Sequence, residues 1–282
     1  MKIDAGTKLA GLLGTPVAAS VSPRLHNRAF QAHRVNALYL AFDVRPGCLA
    51  AAIAALKSLS FLGANITIPY KEEAIRYLDA LSDEVELVGA VNTVALERGR
   101  LVGYNTDGQG FLHSLRLEAD FSVQGKKTLL IGAGGAARSL VASLMTERAG
   151  EIWVLNRTES RAHRLAAELK GRFAFPNLFS DSLARLKDAS FLSEFDLVAN
   201  CTPAWMDKPF FSLAFSSLPA GALIYDLAYS REGTPFLQQA SQAGLKTLGG
   251  LGMLVHQAAL SFQIWTGIAA PHQLMREEAE KT

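Results

Sequence analysis

The sequence predicts an α/β protein with two α/β domains, the first built on a mostly parallel sheet and the second doubly wound. Short apolar runs alternate with helical segments along the chain, which is the pattern of a mostly parallel sheet. A glycine-rich loop at residues 132–137 joins one such run to a helix, as in the first turn of a doubly wound domain. The 282 residues suit two domains, at ~100–200 residues for each.

The composition excludes several classes of protein. Apolar residues make up 49% of the chain and charged residues 19%, whereas a disordered chain is poor in apolar residues and rich in net charge. The 28 basic and 26 acidic residues nearly balance, and no basic cluster occurs, so we expect no nucleic-acid and no membrane partner. Cys48 and Cys201 are too few for a disulfide framework, which favours a reducing, cytoplasmic compartment.

Two apolar stretches could be mistaken for targeting or membrane segments. Leu9–Leu13 faintly resembles a signal peptide, but Gly11 and Gly14 interrupt it and Asp4 occupies the region that should be basic. Polar residues break the stretch Met253–Ala270, so we interpret it as a buried helix rather than a membrane span. We expect residues 253–282 to pack back on the first domain.

The first domain is predicted to span residues 1–107. Ser22 followed by Pro23 is typical of a helix start, with a hydroxyl N-cap and proline at the first helical position. The predicted elements are strand Lys8–Leu13, a helix from Ser22, strand Tyr39–Val44, helix Cys48–Leu59, strand Ala64–Ile68, helix Lys71–Ala80, and strands Ala90–Leu96 and Leu101–Tyr104.

The second domain is predicted to span residues 108–252, with its first βαβ unit starting near Gln124. The predicted elements are strand Lys127–Ile131, helix Ala136–Met145, strand Ile152–Leu155, helix Glu159–Lys170, and strands Leu197–Asn200, Leu223–Asp226 and Lys246–Leu248. This order is typical of a doubly wound Rossmann domain.

The loop between Ile131 and the next helix predicts a dinucleotide site. Gly132-Ala-Gly134-Gly-Ala-Ala137 matches the pattern G-x-G-x-x-A directly after a strand. The first glycine permits the tight turn, the second lets the backbone approach a pyrophosphate, and the small Ala137 allows close packing of helix and strand. The helix N-terminus offers N–H groups and partial positive charge to the phosphates.

The end of the following strand predicts NADP rather than NAD. An NAD-binding domain usually places Asp or Glu there, to accept a hydrogen bond from the ribose 2′-hydroxyl. In this chain the strand ends in Asn156-Arg157-Thr158, with Arg161 one turn further on. A guanidinium at this place can pair with a 2′-phosphate. The alternative is a solvent-exposed arginine without a ligand.

Polar residues of the first domain lie where strands end, which is where α/β sheets place ligand contacts. Ser20 and Ser22 flank the start of a helix and could hold a carboxylate. Asn65 and Thr67 alternate along an apolar strand, which would put both side chains on one face. Further polar candidates on the chain are Lys71, Asn92 and Asp107. Each alone could be a turn or cap residue, but together they suit a polyhydroxylated acid.

These motifs make the chain similar to the shikimate dehydrogenase family over nearly its whole length. The matching stretches are Ser20-Val-Ser-Pro-Arg-Leu-His-Asn27, Asn65-Ile-Thr-Ile-Pro-Tyr-Lys-Glu-Glu-Ala74, Gly89-Ala-Val-Asn-Thr93, Asn105-Thr-Asp-Gly108, Gly132–Ala137, Asn156-Arg-Thr158, Tyr225-Asp-Leu-Ala-Tyr229 and Gly250-Leu-Gly-Met-Leu-Val-His-Gln257. The resemblance implies reversible NADP-linked reduction of 3-dehydroshikimate to shikimate, in aromatic amino-acid and chorismate biosynthesis.

The resemblance also implies roles for individual residues. Lys71 would be the acid/base, paired with Asp107. The substrate contacts would be Ser20 and Ser22 for the carboxylate, Thr67, Asn92, Asp107 and Gln257 for the ring hydroxyls, Asn65 beside them, and Tyr229 from the second domain. The cofactor contacts would be Gly132, Ala133, Gly134, Gly135, Ala136, Asn156, Arg157, Thr158, Arg161, Thr202, Leu227, Gly250 and Met253.

The chain departs from the family pattern at two places. Ala19 stands where the family commonly has histidine, and Trp205 replaces a glycine in the segment from Asn200 to Met206. The six histidines show no metal-ligand spacing, so we expect no metal site. We expect small-molecule partners and either a monomer or a homodimer.

Two other functions are considered. A quinate/shikimate dehydrogenase of the same fold would accept quinate and often NAD, and Asn156-Arg157-Thr158 argues against it. A non-catalytic NADP-binding regulator would not need Lys71 and Asp107, which are both present.

Overall fold

The chain folds into two compact units, each with its own sheet. A computed structural model describes residues 3–202, 213–230 and 232–281. The first unit comprises Met1–Gly110 and Leu254–Thr282, and the second comprises Phe111–Met253. In the described residues, no helix is both long and apolar enough to cross a membrane.

The first unit alternates strands and helices, as the sequence predicts. Its elements are β1 (Lys8–Gly14), α1 (Ser22–Ala32), β2 (Ala37–Asp43), α2 (Leu49–Ser58), β3 (Gly63–Ile66), a 3-10 segment (Glu73–Tyr77), β4 (Ala80–Leu81), α3 (Asp83–Val88), β5 (Thr93–Glu97), β6 (Arg100–Tyr104), the start of α4 (Asp107–Ala119), most of α9 (Leu251–Thr266), and α10 (His272–Ala279).

The sheet of the first unit has the order β2-β1-β3-β5-β6-β4, in which only β5 runs antiparallel to its neighbours. Apolar residues of α2 and the central strands, such as Ile53 and Ile66, form a buried core. The C-terminal segment packs against the same sheet, because Trp265 Nε1 donates to the Val94 carbonyl at 2.9 Å. The helix predicted from the apolar stretch Met253–Ala270 is therefore a packed element of this unit.

One predicted helix of the first unit is wrong. Residues 71–80 form a 3-10 segment and then β4 rather than an α-helix. The cause is tertiary pairing with β6: the Asp79 N–H donates to the Leu101 carbonyl at 2.9 Å, and the Asp79 carboxylate accepts from the Leu101 N–H at 2.8 Å. Pairing with another strand overrides the local helical pattern. The short helix α3, capped by Ser82 on the Val85 N–H, was not predicted.

Two local predictions around the polar residues also need correction. Ser22 is the first residue of α1 rather than its cap, and no side chain caps that helix, because the Ser22 hydroxyl interacts with Ser20 and Tyr39 instead. β3 ends at Ile66, so Thr67 follows the strand and does not share a strand face with Asn65.

The second unit is a doubly wound sheet with every strand parallel. Its order is β12-β11-β10-β7-β8-β9, which is that of a Rossmann domain. The elements are the rest of α4, β7 (Lys127–Ile131), α5 (Gly135–Thr146), β8 (Glu151–Asn156), α6 (Glu159–Phe173), β9 (Leu178–Ser182), a 3-10 segment (Leu183–Lys187), α7 (Ala189–Leu192), β10 (Leu197–Asn200), a 3-10 segment (Phe215–Ser217), β11 (Leu223–Asp226), α8 (Pro235–Gln242), β12 (Lys246–Gly249) and the start of α9.

The order of the second sheet locates a ligand crevice. The chain leaves β7 toward β8 on one side and later returns to β10 on the other side of β7. The loops after β7 and β10 therefore meet at the point where the strand order reverses, which is where open α/β sheets bind ligands. Apolar residues cover both faces of the sheet, for example Leu130 on one and Ile131 on the other.

Candidate functional site

An ion pair lies at the centre of the polar residues of the first unit. Lys71 Nζ donates to Asp107 Oδ2 at 2.5 Å, and the two side chains are only 13% and 5% exposed. Asp107 is the first residue of α4, where the helix dipole favours a carboxylate. Its N–H donates to Asn105 Oδ1 at 3.1 Å. A fixed cation that can give up a proton is thus held in a mostly buried place.

The amide of Asn92 is oriented by a backbone group. Its Oδ1 accepts from the Thr106 N–H at 2.8 Å, which identifies the other amide atom as Nδ2. That nitrogen lies 2.8 Å from Asp107 Oδ1, 2.8 Å from Thr106 Oγ1 and 3.4 Å from Gln257 Oε1. Asn92 therefore occupies one oxygen of the Asp107 carboxylate and leaves the other to Lys71.

Asn65 and two hydroxyl residues lie next to Asn92. Asn65 Nδ2 lies 3.1 Å from the Asn92 carbonyl, 3.1 Å from Thr93 Oγ1 and 3.0 Å from Ser261 Oγ. The hydroxyls of Thr93 and Ser261 are 2.8 Å apart, and both residues are fully buried. We call the following set of connected residues the polar cluster: Asn65, Lys71, Asn92, Thr93, Thr106, Asp107, Gln257 and Ser261.

The two predicted carboxylate-binding serines form a pair beside the polar cluster. Ser20 Oγ donates to Ser22 Oγ at 3.2 Å, and the Ser22 N–H lies 3.3 Å from Ser20 Oγ. The Ser22 side chain also interacts with the phenol of Tyr39. Thr67 follows β3, and its methyl group lies where a side chain on Gly14 would have to go.

A second carboxyl group is affected by the charge of Asp107. Glu84 is half-buried on α3, and burial together with the Asp107 charge raises the pKa of its carboxyl to about 7. Sequence reasoning missed Glu84, and it also missed Tyr39, Thr93 and Thr106. Ser261 is one of the polar residues that interrupt the apolar stretch Met253–Ala270. It follows Gln257 by four residues, which places both on one helix face, and this spacing is the signal that could have identified it.

In the second unit, residues 132–137 form the phosphate loop between β7 and α5. Gly132 has φ +118°, and a Cβ there would lie 3.1 Å from the Cys201 backbone, so only glycine fits without strain. Gly134 is the N-cap of α5, and no atom lies within 4 Å of the place of its missing Cβ. The loop therefore leaves open the approach that a pyrophosphate requires, in front of the unpaired N–H groups of a helix N-terminus.

The residues after β8 present positive charge. Asn156 ends β8, and its Nδ2 donates to the Thr158 carbonyl at 2.9 Å. Thr158 is the N-cap of α6, and the Arg161 N–H donates to the same carbonyl at 2.9 Å. Arg157 and Arg161 are exposed. Exposed guanidinium groups at this strand end suit the 2′-phosphate of NADP, so the residues present fit that cofactor.

The end of β10, the loop after β11 and the start of α8 are tied together by a buried carboxylate. Asp226 accepts from Asn200 Nδ2 at 3.1 Å, from the Ala228 N–H at 3.1 Å and from Thr234 Oγ1 at 2.6 Å. Burial raises the pKa of this carboxyl. Asn200 Oδ1 in turn accepts from the hydroxyl of Thr202 at 2.6 Å.

The other predicted cofactor residues lie at the same edge of the sheet. A Cβ on Gly250 would come 2.0 Å from the Leu227 carbonyl oxygen, so these two loops are in direct contact. Met253 is buried in the apolar core of the second unit, and Tyr229 follows β11. Trp205, Phe210 and Phe211 lie outside the described residues.

No cluster of three or more potential metal ligands occurs in residues 3–202, 213–230 and 232–281. Both cysteines are free, Cys48 exposed and Cys201 half-buried. Burial raises the pKa of the Cys201 thiol, which makes it a poor nucleophile.

Three family models match the chain. The shikimate dehydrogenase substrate binding domain matches residues 12–94, shikimate / quinate 5-dehydrogenase matches residues 116–207, and the shikimate 5′-dehydrogenase C-terminal domain matches residues 250–280. Together they cover the phosphate loop and all of the polar cluster except Thr106 and Asp107.

Individual relatives agree with these models. The chain is 43% identical over 278 residues to a shikimate dehydrogenase (NADP(+)) of Citrifermentans bemidjiense, covering 98% of this chain and 96% of the relative. The shikimate 5-dehydrogenase of Thermus thermophilus, solved with NADP(H) and shikimate, is 35% identical with a TM-score of 0.84 (98% and 99% covered). A quinate dehydrogenase of Corynebacterium glutamicum, solved with NAD, is 27% identical with a TM-score of 0.88 (98% and 99% covered). This chain belongs to the shikimate dehydrogenase family.

Proposed function

We propose that the polar cluster binds and protonates the substrate of an NADP-dependent shikimate dehydrogenase. The chain is an oxidoreductase acting on a CH–OH group: it catalyses the reversible NADPH-dependent reduction of 3-dehydroshikimate to shikimate, a step toward chorismate and the aromatic amino acids. The observation that carries the residue roles is the buried Lys71–Asp107 pair, held by Asn92 inside a cluster of amides and hydroxyls.

The chemistry divides between the cofactor and Lys71. Bound NADPH supplies the hydride for the carbonyl carbon. Lys71 gives a proton to the carbonyl oxygen as that oxygen becomes a hydroxyl, and in the reverse direction it takes the proton back. Asp107 orients the Lys71 ammonium through the 2.5 Å hydrogen bond. Asn92 fixes Asp107 in turn, so the proton donor has one position.

The remaining polar residues bind the substrate. Ser20 and Ser22 are proposed to hold the carboxylate, since two hydroxyls and a helix start lie side by side there. The ring hydroxyls are assigned to Thr67, Asn92, Asp107 and Gln257, with Asn65 beside them. Tyr229 of the second unit is a proposed substrate contact on the resemblance alone.

NADP is assigned to the carboxyl edge of the second sheet. The pyrophosphate would lie on the phosphate loop, and the 2′-phosphate on Asn156, Arg157, Thr158 and Arg161. The nicotinamide end is assigned to Thr202, Leu227, Gly250 and Met253, whose loops are joined through Asp226 and Gly250.

The wider setting follows from the same proposal. Residues 1–107 with 253–282 would form the substrate-binding and catalytic domain, and residues 108–252 the NADP-binding domain. We propose a cytoplasmic enzyme, monomeric or homodimeric, with small-molecule partners only; the two free thiols suit a reducing compartment.

The test is oxidation of NADPH with 3-dehydroshikimate, followed at 340 nm, beside NADH and quinate as controls. We expect turnover with the first pair and much weaker turnover with the controls. Equal rates with quinate and NAD would favour a quinate/shikimate dehydrogenase. Binding of NADP without any turnover would favour a regulator.

A further inference from the structure

Tyr39 is fixed in position from three sides. It lies on β2, at the edge of the first sheet, and is fully buried. Asn27 bonds both of its backbone groups, accepting from the Tyr39 N–H at 2.8 Å and donating to the Tyr39 carbonyl at 2.9 Å. The phenol ring stacks on the His26 imidazole, with centroids 4.4 Å apart, and tilts against Trp265 at 6.0 Å. The hydroxyl of Tyr39 is therefore held in one position.

The direction of each hydrogen bond around Tyr39 follows from its neighbours. Asn65 Nδ2 must be the donor to the Asn92 carbonyl at 3.1 Å, because a carbonyl only accepts. Asn65 Oδ1 is then the atom that faces Tyr39, and the phenol donates to it at 2.8 Å. The Ser22 side chain also interacts with the phenol and favours its ionised form, but burial outweighs this effect and holds the pKa of Tyr39 well above its usual value.

One directed chain of hydrogen bonds results. It runs from the Tyr39 hydroxyl to Asn65 Oδ1, and from Asn65 Nδ2 to the Asn92 carbonyl. Ser20 donates to Ser22, whose side chain interacts with the Tyr39 phenol, so Tyr39 lies between the serine pair and the polar cluster.

We infer that Tyr39 is a positioning residue that sets the amide of Asn65, and with it the substrate-facing polar groups between the serine pair and Asn92. This inference rests on the proposed function. When the Ser22 hydroxyl donates a hydrogen bond to the substrate carboxylate, the phenol continues to donate to Asn65, so the amide keeps one position with and without substrate. Without the phenol hydroxyl, Asn65 Oδ1 is buried with no donor, and the amide is held only by the contacts of its Nδ2, so its position is less firmly fixed.

The first experiment compares Tyr39→Phe with the wild type in the shikimate–NADP⁺ assay. Because the Asn65 contact is similar in ground and transition states, the KM for shikimate should rise about tenfold while kcat stays within threefold and the KM for NADP⁺ does not change. Calorimetric binding of shikimate should weaken by the same factor. The control is Tyr70→Phe, another buried tyrosine of this unit, whose hydroxyl donates to the Val44 carbonyl at 2.8 Å.

The second experiment tests whether Tyr39 acts through Asn65. In an Asn65→Ala background, Tyr39→Phe should change the KM for shikimate by less than twofold, because the partner is already gone. Installing 4-aminophenylalanine at position 39 restores a donor and should bring KM back toward the wild-type value. This second variant keeps the inference testable even where Tyr39→Phe folds poorly.

The outcomes separate the inference from the proposed function. Absence of shikimate turnover and of shikimate binding in the wild type overturns both. Normal wild-type turnover with a Tyr39→Phe KM that is unchanged or lower, or with a KM increase that persists in the Asn65→Ala background, overturns the role of Tyr39 alone.

Discussion

The polar cluster of the first unit and the phosphate loop of the second differ in whether side chains or backbone atoms form the site. The polar cluster consists of side chains from separate elements, and a single atom such as Asn92 Nδ2 is fixed by partners far away in sequence. The phosphate loop consists of backbone, and its glycines matter for the side chains that they lack. A site made of side chains is disabled by removing one group, whereas a site made of backbone is disabled by adding one.

The largest expected effect is on the side-chain site. Lys71→Ala should lower kcat by about 10²–10⁴-fold, because loss of a general acid/base typically costs that much, while shikimate affinity changes only modestly. Steady-state kinetics with 3-dehydroshikimate and calorimetric binding of shikimate measure the two quantities. Lys57→Ala, which breaks an exposed ion pair with Asp79 in the same unit, is the control. A near-normal kcat for Lys71→Ala would remove it from the chemistry.

On the cofactor side, Arg157→Ala should raise the KM for NADPH about ten- to a hundredfold and leave NADH nearly unchanged. Charge-assisted bonds to a phosphate contribute about 1.5–3 kcal/mol, and only NADPH has the 2′-phosphate. The measurement is kcat/KM for both cofactors, with Arg148→Ala, an exposed arginine after α5, as the control. An unchanged ratio between the cofactors would exclude Arg157 from the site; Arg161 would account for any residual preference.

Two glycine substitutions in the phosphate loop test the site that is made of backbone. Gly134→Ala adds a Cβ into open space, so we expect an unchanged melting temperature and a KM for NADPH raised about tenfold, by loss of close backbone approach. Gly132→Ala should instead destabilise the fold by about 1–3 kcal/mol, because of its positive φ. Thermal melts and NADPH kinetics on both variants separate the two effects. Equal melting temperatures for the two would contradict the assignment.

The smallest expected effect concerns Glu84. Its pKa is raised from 4.5 to about 7 in the folded protein, so its contribution to stability is greatest below pH 4.5 and is lost as the pH rises through 7. Glu84→Gln should therefore be more stable than the wild type at pH 8, by about 1–2 kcal/mol after allowance for partial exposure, and about equally stable at pH 4.5.

Denaturant unfolding of Glu84→Gln at the two pH values measures this difference. Glu86→Gln, an exposed position on the same helix, is the control. A stability gain that is the same at both pH values would show that the Glu84 charge is not responsible.

Local signals in the sequence predicted the second unit better than the first. Lys127–Ile131 was predicted with its observed bounds, because the apolar run and the glycines after it lie within one short stretch. The helix predicted at residues 71–80 is wrong because Asp79 pairs with Leu101, a contact that no local pattern shows. β9 was missed for a related reason: at the edge of the sheet it has mixed polarity and little burial.

The site residues show the same difference between local sequence signals and long-range contacts. Lys71, Asn92 and Asp107 stand in recognisable motifs, so the sequence singled them out. Thr93 ends the matching stretch Gly89–Thr93 without a predicted role, and Ser261 lies outside the matching stretches. Their role in the polar cluster depends on α9 packing on the sheet, because 168 positions separate the two residues along the chain. Contacts of that kind become visible only when the chain is folded.

The fixed amide of Asn92 restricts which substitutions this position can accept. Asparagine becomes aspartate through one nucleotide change and almost no change in shape. At position 92 that change would put a carboxylate oxygen 2.8 Å from the carboxylate of Asp107, and the two negative charges would repel each other or share a proton. We therefore expect a change of Asn92 to aspartate to be accepted only together with a change at Asp107.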